Sequence, residues 1–223
     1  MHPTAPHESS ATAPGEASTR RRRKDARPSE LLAAGLELFV DRGFAATRLD
    51  DVARRAGVAK GTLYLYFPSK EALFKAVIDD GMVAALLAAE ERLAAHRGPA
   101  AELLHELLLG WWQQIGSTAL AGVSKLIISE ARNFPEIADY YRERVISRGR
   151  ALLRQALERG IDQGEFRPLH VDAAIDVIIA PLLMLAISRF SLRLCGHEVS
   201  PEDYLETHFE LLLRGLRPAG DRP

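Results

Sequence analysis

The stretch RRAGVAKGTLYLYFPSKEALF, Arg54 to Phe74, decides how the rest of the chain is read. Just before and within it, Leu49, Val52, Ala53 and Ala56 recur at i, i+3, i+4 and i+7, and Gly57 breaks the pattern, so a short helix ends there. A second short helix is expected over about Lys60 to Tyr66, closed by Phe67-Pro68. Two short helices across a Gly57-Val58 turn, with Ala53 small enough for close packing, have the size of a helix-turn-helix. Val58, Leu63 and Phe67 then point to the core, while Lys60, Gly61, Thr62, Tyr64, Leu65 and Tyr66 form the outer face. That face is slim at its N-terminal end, as a helix entering a major groove requires.

The hydroxyls of Thr62, Tyr64 and Tyr66 can donate to phosphate oxygens. Ser69 is a good N-cap for a fourth helix, and Lys70 beside that positive helix end makes a phosphate clamp. Lys60, and Leu65 through a thymine methyl, are the candidates for reading bases. A second reading stands beside this one: a glycine turn between helices is common, and either tyrosine can be a half-buried core residue with a wet hydroxyl.

Working upstream, a helix over about Ser29 to Arg42 carries Leu32, Leu36, Phe39 and Val40 on one stripe, with Gly43 as its stop. Thr47 followed by Asp50 fits a capping-box variant opening the next helix. Residues 1–27 are rich in Pro, Ser, Thr, Ala and Glu before turning basic at Arg20 to Lys24, and are expected to form a disordered arm. Such an arm can follow the DNA backbone, or stay solvated and idle. The net charge of −1 hides this local basic run, so charge location carries more information than the sum.

Working downstream, the fourth helix is expected to continue to about His96, with further helices over Ala100 to Ile115, Leu120 to Asn133 and Pro135 to Gln163. Asp172 is read as the cap of a helix to about Leu194, and Ser200-Pro201-Glu202-Asp203 as the start of the last one. The body is therefore all-α with about nine helices. A length of 223 residues with 47% apolar composition fills a sizeable core. The single cysteine, Cys195, excludes an internal disulfide framework and suits the cytoplasm; redox sensing by it remains an open alternative to an inert thiol. No secretory signal is evident, and the longest uncharged apolar run, Val177 to Ser188, is too short to span a membrane.

Phe39, Gly43-Phe44, Thr47, Val52-Ala53, Ala56-Gly57-Val58, Gly61-Thr62-Leu63-Tyr64, Tyr66-Phe67 and Ser69-Lys70-Glu71-Ala72-Leu73 together resemble the TetR/AcrR family of bacterial transcriptional regulators. The resemblance is close over about Pro28 to Val77. It implies a helix-turn-helix DNA-binding domain over 28–76, a helical ligand-binding and dimerisation domain over 77–217, and a flexible tail over 218–223. It also implies phosphate contacts by Thr47, Thr62, Tyr64, Tyr66 and Lys70, with Lys60, Gly61 and Leu65 facing bases. Arg48, at the start of the second helix, is a further candidate for the DNA backbone. Asp50-Asp51 would repel phosphate and are expected to face away from it.

The functional expectation is a homodimeric repressor on a pseudo-palindromic DNA operator, released by a small apolar or amphipathic effector. Trp111, Trp112, Ile115, Phe134, Tyr140 and Phe190 are the candidate pocket residues, with Tyr141 weighed alongside them; plain core packing is the competing role for each. Adjacent tryptophans point about 100° apart on a helix, so at most one of the pair faces a given cavity. Val177 to Leu185 and the last helix carry more apolar surface than one buried face needs, and in the resembling family the two C-terminal helices pair across a two-fold axis. The histidines lack a convincing metal-ligand spacing, and neither a Gly-rich phosphate loop nor a nucleophile elbow is present, so no metal, cofactor or catalysis is expected. Two rivals remain. One is an all-helical small-molecule enzyme using Asp50-Asp51; the other is a ligand-binding or interaction module without DNA binding.

Overall fold

The computed structural model describes residues 14–188 and 199–218, with side chains from residue 28 onward. All regular structure among the described residues is helical. In chain order the segments are α1 (Pro14–Ala46), α2 (Leu49–Arg55), α3 (Lys60–Tyr66), α4 (Lys70–Ile78), α5 (Ala84–Ala95), α6 (Ala100–Trp111), α7 (Ala121–Glu130), α8 (Pro135–Tyr141), α9 (Ser147–Asp162), α10 (Val171–Ile187) and α11 (Pro201–Leu216). A π-helical turn at Asp79–Val83 joins α4 to α5, and another at Arg142–Ile146 joins α8 to α9, so these segments form nine rods. A third π turn, Trp112–Gly116, extends α6. No helix among the described residues is long and apolar enough to cross a membrane.

Several stops and starts follow local chemistry. Gly43 breaks α1 with φ 84° and ψ 168°, a conformation that L side chains avoid. Ser69 Oγ accepts the Ala72 N–H at 3.1 Å, and Ser200 Oγ accepts the Asp203 N–H at 3.0 Å with Pro201 at the first helical position.

Three expectations differ from the structure. The backbone is helical from Pro14, so the part of the arm after residue 13 is not coil; its Glu, Ala, Arg and Lys are strong helix formers. Thr47 does not cap α2. Arg48 holds the N-cap position without a side-chain bond, and the buried Thr47 hydroxyl turns inward to the Gly43 carbonyl at 2.7 Å and the Leu38 carbonyl at 3.1 Å. Nor does Asp172 cap α10: His170 Nδ1 accepts the Ala173 N–H, while Asp172 is drawn to Arg150 and Arg154 of α9. Residues 1–13, Phe190, Cys195, the expected end of the tenth helix at Leu194 and residues 219–223 lie outside the described residues.

One continuous apolar core runs from α1 to α11. At its N-terminal end Phe39, Phe44 and Phe74 pack with centroids 5.0–5.6 Å apart, and Phe134 closes on Phe44 at 4.7 Å. This aromatic cluster ties α1 and α4 to the α7–α8 connection. Helix α1 also lies tightly on α7, where a Cβ on Gly122 would come within 2.5 Å of Val40. The three N-terminal helices are thus anchored to the larger body through α1 and α4.

Candidate nucleic-acid interface and effector cavity

Helix α2 ends in a Schellman motif. Gly57 has φ 67°, its N–H bonds the Arg54 carbonyl at 3.2 Å, and the Val58 N–H reaches back to Ala53 at 2.9 Å. Satisfying these carbonyls turns the chain sharply and starts α3 at Lys60. Leu63 is fully buried under the turn, and Val58, Tyr66 and Phe67 pack against the same core. On the opposite side Lys60, Gly61, Tyr64 and Leu65 are exposed; Leu65 is 85% exposed and Tyr64 43%. An 85% exposed leucine on a helix this well anchored gains nothing from folding, so its apolar surface is available to something outside the chain. Thr62 is half-buried. Of the two tyrosines, Tyr66 is the one packed into the core, its ring 6.5 Å from Phe67.

The charges on this face are arranged differently from the expectation. Asp50 does not lie apart from the outer face: its carboxylate accepts from Lys60 Nζ at 2.8 Å, and this bond and charge raise the lysine pKa above its usual value. Asp51 pairs with Arg42 and Arg54 instead, so each acid is matched by a basic side chain rather than facing a second acidic cluster. Arg48 is exposed, with no side-chain hydrogen bond or ion pair among the described residues.

Lys70 is half-buried over the Phe44 ring at 4.4 Å and donates to the carbonyls of Phe44 at 2.7 Å and Ala45 at 3.1 Å. Two of its three N–H bonds therefore hold the end of α1, leaving one free donor where a full phosphate clamp was expected. Thr47, expected to contact phosphate, has its hydroxyl buried and bonded inward.

The larger body encloses a cavity of about 320 Å³ between α5, α6, α7, α9 and α10. Trp111 and Ile115 line it, as does Tyr141. The other pocket candidates are elsewhere. Trp112 packs with Ala121 and Ala186, Phe134 belongs to the aromatic cluster with Phe44, and the Tyr140 hydroxyl donates to Asp79 at 2.6 Å. The two tryptophans diverge as helical geometry requires, one into the cavity and one into the core.

The walls are mainly aliphatic, with Leu108, Ile127, Val145 and Leu153 among them. Their polar content is a buried hydroxyl pair, Ser124 and Tyr141 at 2.9 Å, together with Arg92, Arg150 and Asp176. Burial raises the Tyr141 pKa, with the Ser124 bond opposing, so the hydroxyl stays neutral across the physiological range. Sequence reasoning missed the charged residues because they come from three separate helices. Only the apolar spacing was readable in one dimension.

Two family models match the chain: bacterial regulatory proteins, tetR family, over residues 31–77, and tetracyclin repressor-like, C-terminal domain, over residues 94–192. The uncharacterized HTH-type transcriptional regulator YfiR of Bacillus subtilis is 31% identical over 155 residues, covering 68% of this chain and 74% of that protein. The HTH-type transcriptional regulator EthR of Mycolicibacterium smegmatis is 27% identical over 196 residues, covering 79% and 85%. Among solved structures, the fatty acid degradation regulator FadR from Bacillus halodurans superposes with a TM-score of 0.69 at 22% identity over 84% of this chain and 94% of that one. FadR from Bacillus subtilis in complex with stearoyl-CoA gives 0.65 at 22% identity over 85% and 99%. The chain belongs to the TetR family of bacterial transcriptional regulators, DNA-binding proteins with a helix-turn-helix at one end and a ligand-binding helical domain at the other.

Proposed function

We propose that this protein is a cytoplasmic, non-catalytic repressor that binds a pseudo-palindromic operator as a homodimer and is released by a small apolar or amphipathic molecule. Residues 28–76 would carry the DNA contacts, 77–217 the effector and the partner subunit, with 218–223 a tail. On the DNA face, Lys60, Gly61 and Leu65 approach the bases, while Arg48, Thr62, Tyr64 and Tyr66 reach phosphates. Lys70 adds one N–H to a phosphate while pinning α1. The observation that carries this reading is the exposed apolar and hydroxyl face of α3, held rigidly from behind by the buried Leu63.

The effector reading rests on the largely apolar cavity next to α5 and α9, and it is consistent with a structural neighbour being in complex with stearoyl-CoA. Repression is the proposed sign because occupying a promoter needs no further contact surface. An effector acts only through its different affinity for two subunit spacings, one of which fits both grooves. The test is a selection of bound fragments from a random DNA pool by the full-length protein. The expected outcome is an enriched inverted repeat with half-site centres about one helical turn apart or somewhat more. A pool without enrichment would overturn the DNA-binding assignment, and a reporter that rises with protein level would overturn the sign.

A further inference from the structure

Three charged side chains line the cavity, and two of them satisfy each other: Arg150 pairs with Asp176 and also reaches Asp172. Arg92 of α5 is different. It is half-buried at the cavity wall and makes no ion pair or side-chain hydrogen bond among the described residues. Its guanidinium lies against Gly110 of α6, where a Cβ would stand 3.1 Å from Nη2, so the absent side chain leaves room for the planar group. A half-buried guanidinium with no carboxylate beside it presents, at the cavity wall, a fork matched to two oxygens of an anion.

We infer that the cavity selects a single-chain amphiphile with a carboxylate head, the carboxylate on Arg92 and the tail against Leu108, Ile127, Val145 and Leu153. This rests on the reading of the cavity as the effector site. The charge count favours a monoanion: one unmatched cation compensates one negative charge, whereas a phosphate monoester carries about −1.5 to −2 near neutrality. The space favours a chain of moderate length. A cavity of about 320 Å³ lies at the lower end of the range for small-ligand sites, which is room for a medium chain rather than a very long one.

The experiment is calorimetric titration of the full-length protein with decanoate, decyl phosphate and decanol, repeated on R92Q and R92K. The wild type is expected to bind decanoate at least about tenfold more tightly than decanol, the usual range for one charged hydrogen-bonding contact. Decyl phosphate should bind no better than decanoate. R92Q should lose the preference while holding decanol as before, which also reports an intact cavity. R92K should recover part of the preference, since it keeps the charge and loses the fork. Equal affinity of the wild type for decanoate and decanol would overturn the carboxylate assignment and leave the cavity reading standing, as would a preference that survives in R92Q. Tighter binding of decyl phosphate would overturn the monoanion. Failure of all three probes to bind would overturn both the assignment and the effector reading.

Discussion

At the scale of single residues, the ion pair between Lys60 and Asp50 bears directly on how the protein meets DNA. A lysine already matched by a carboxylate at 2.8 Å offers phosphate or base less net charge than a free one. Asp50→Asn removes that match. Because each neutralised phosphate contributes about −0.9 to the slope of log affinity against log salt, the variant should steepen the slope by about 1 and tighten binding at low salt. The gain should appear on every sequence, since the lost carboxylate no longer repels the backbone, and be larger on the operator, where the freed Lys60 faces bases. Asp50 also sits in the first turn of α2, where an acid favours the helix dipole, so stability should fall by about 0.3–1 kcal/mol. Salt titrations of operator and non-operator duplexes, with urea unfolding alongside, check all three outcomes. An unchanged slope would mean that Lys60 stays off the DNA.

At the scale of elements, the starts and stops set by one residue's own backbone were legible in the sequence. Gly43, Gly57, Ser69 and Ser200 act where local chemistry predicts, because a positive φ or a cap needs only its immediate neighbours. The failures share another cause. Thr47 looked like a cap but finds carbonyls of α1, Asp172 looked like a cap but finds arginines of α9, and Lys70 looked free but finds the end of α1. Asp172 and Lys70 were taken by partners 18 to 26 residues away, which spacing cannot reveal, whereas Thr47 was taken by carbonyls four and nine residues back, across the chain reversal at Gly43. The same limit hid the junction where Asp79, at the end of α4, accepts from the Tyr140 hydroxyl at 2.6 Å and from Arg144 at 3.2 Å. Tyr140 and Arg144 neighbour the cavity residues Tyr141, Val145 and Ile146, and Asp79 and Arg144 lie in π turns, a common feature of functional positions. An effector that shifts this rod therefore has a bonded route to α4 and the DNA-binding helices. Tyr140→Phe should leave effector affinity within about twofold and reduce the coupling between effector and operator by about 0.5–2 kcal/mol. Operator titrations with and without saturating effector measure that coupling. Unchanged coupling would exclude the tyrosine hydroxyl from the route.

At the scale of the whole molecule, α10 carries apolar side chains on two faces, of which one is buried within the subunit. Ile175, Ile178, Leu182 and Ala186 are buried inside the subunit, while Val177 is 69% exposed and Met184 56%. Helix α11 repeats the pattern, with Leu216 buried and Leu211 64% exposed. Large apolar side chains left outside on both of the last two helices favour burial against another copy of the chain. A two-fold axis through such a surface brings each residue near its own counterpart or neighbour, so one acidic substitution introduces two charges into the contact. Met184→Glu combined with Leu211→Glu should therefore convert the dimer to a monomer in sedimentation at micromolar concentration. The helical circular dichroism should be retained, because neither side chain belongs to the buried core of the subunit. Operator affinity should fall by about 10²-fold or more, since the second half-site is no longer held at high effective concentration, while binding to an isolated half-site should be unaffected. Both readouts are needed: a variant that stays dimeric with full affinity moves the interface off these helices, whereas a monomer that keeps full affinity removes the requirement for two half-sites.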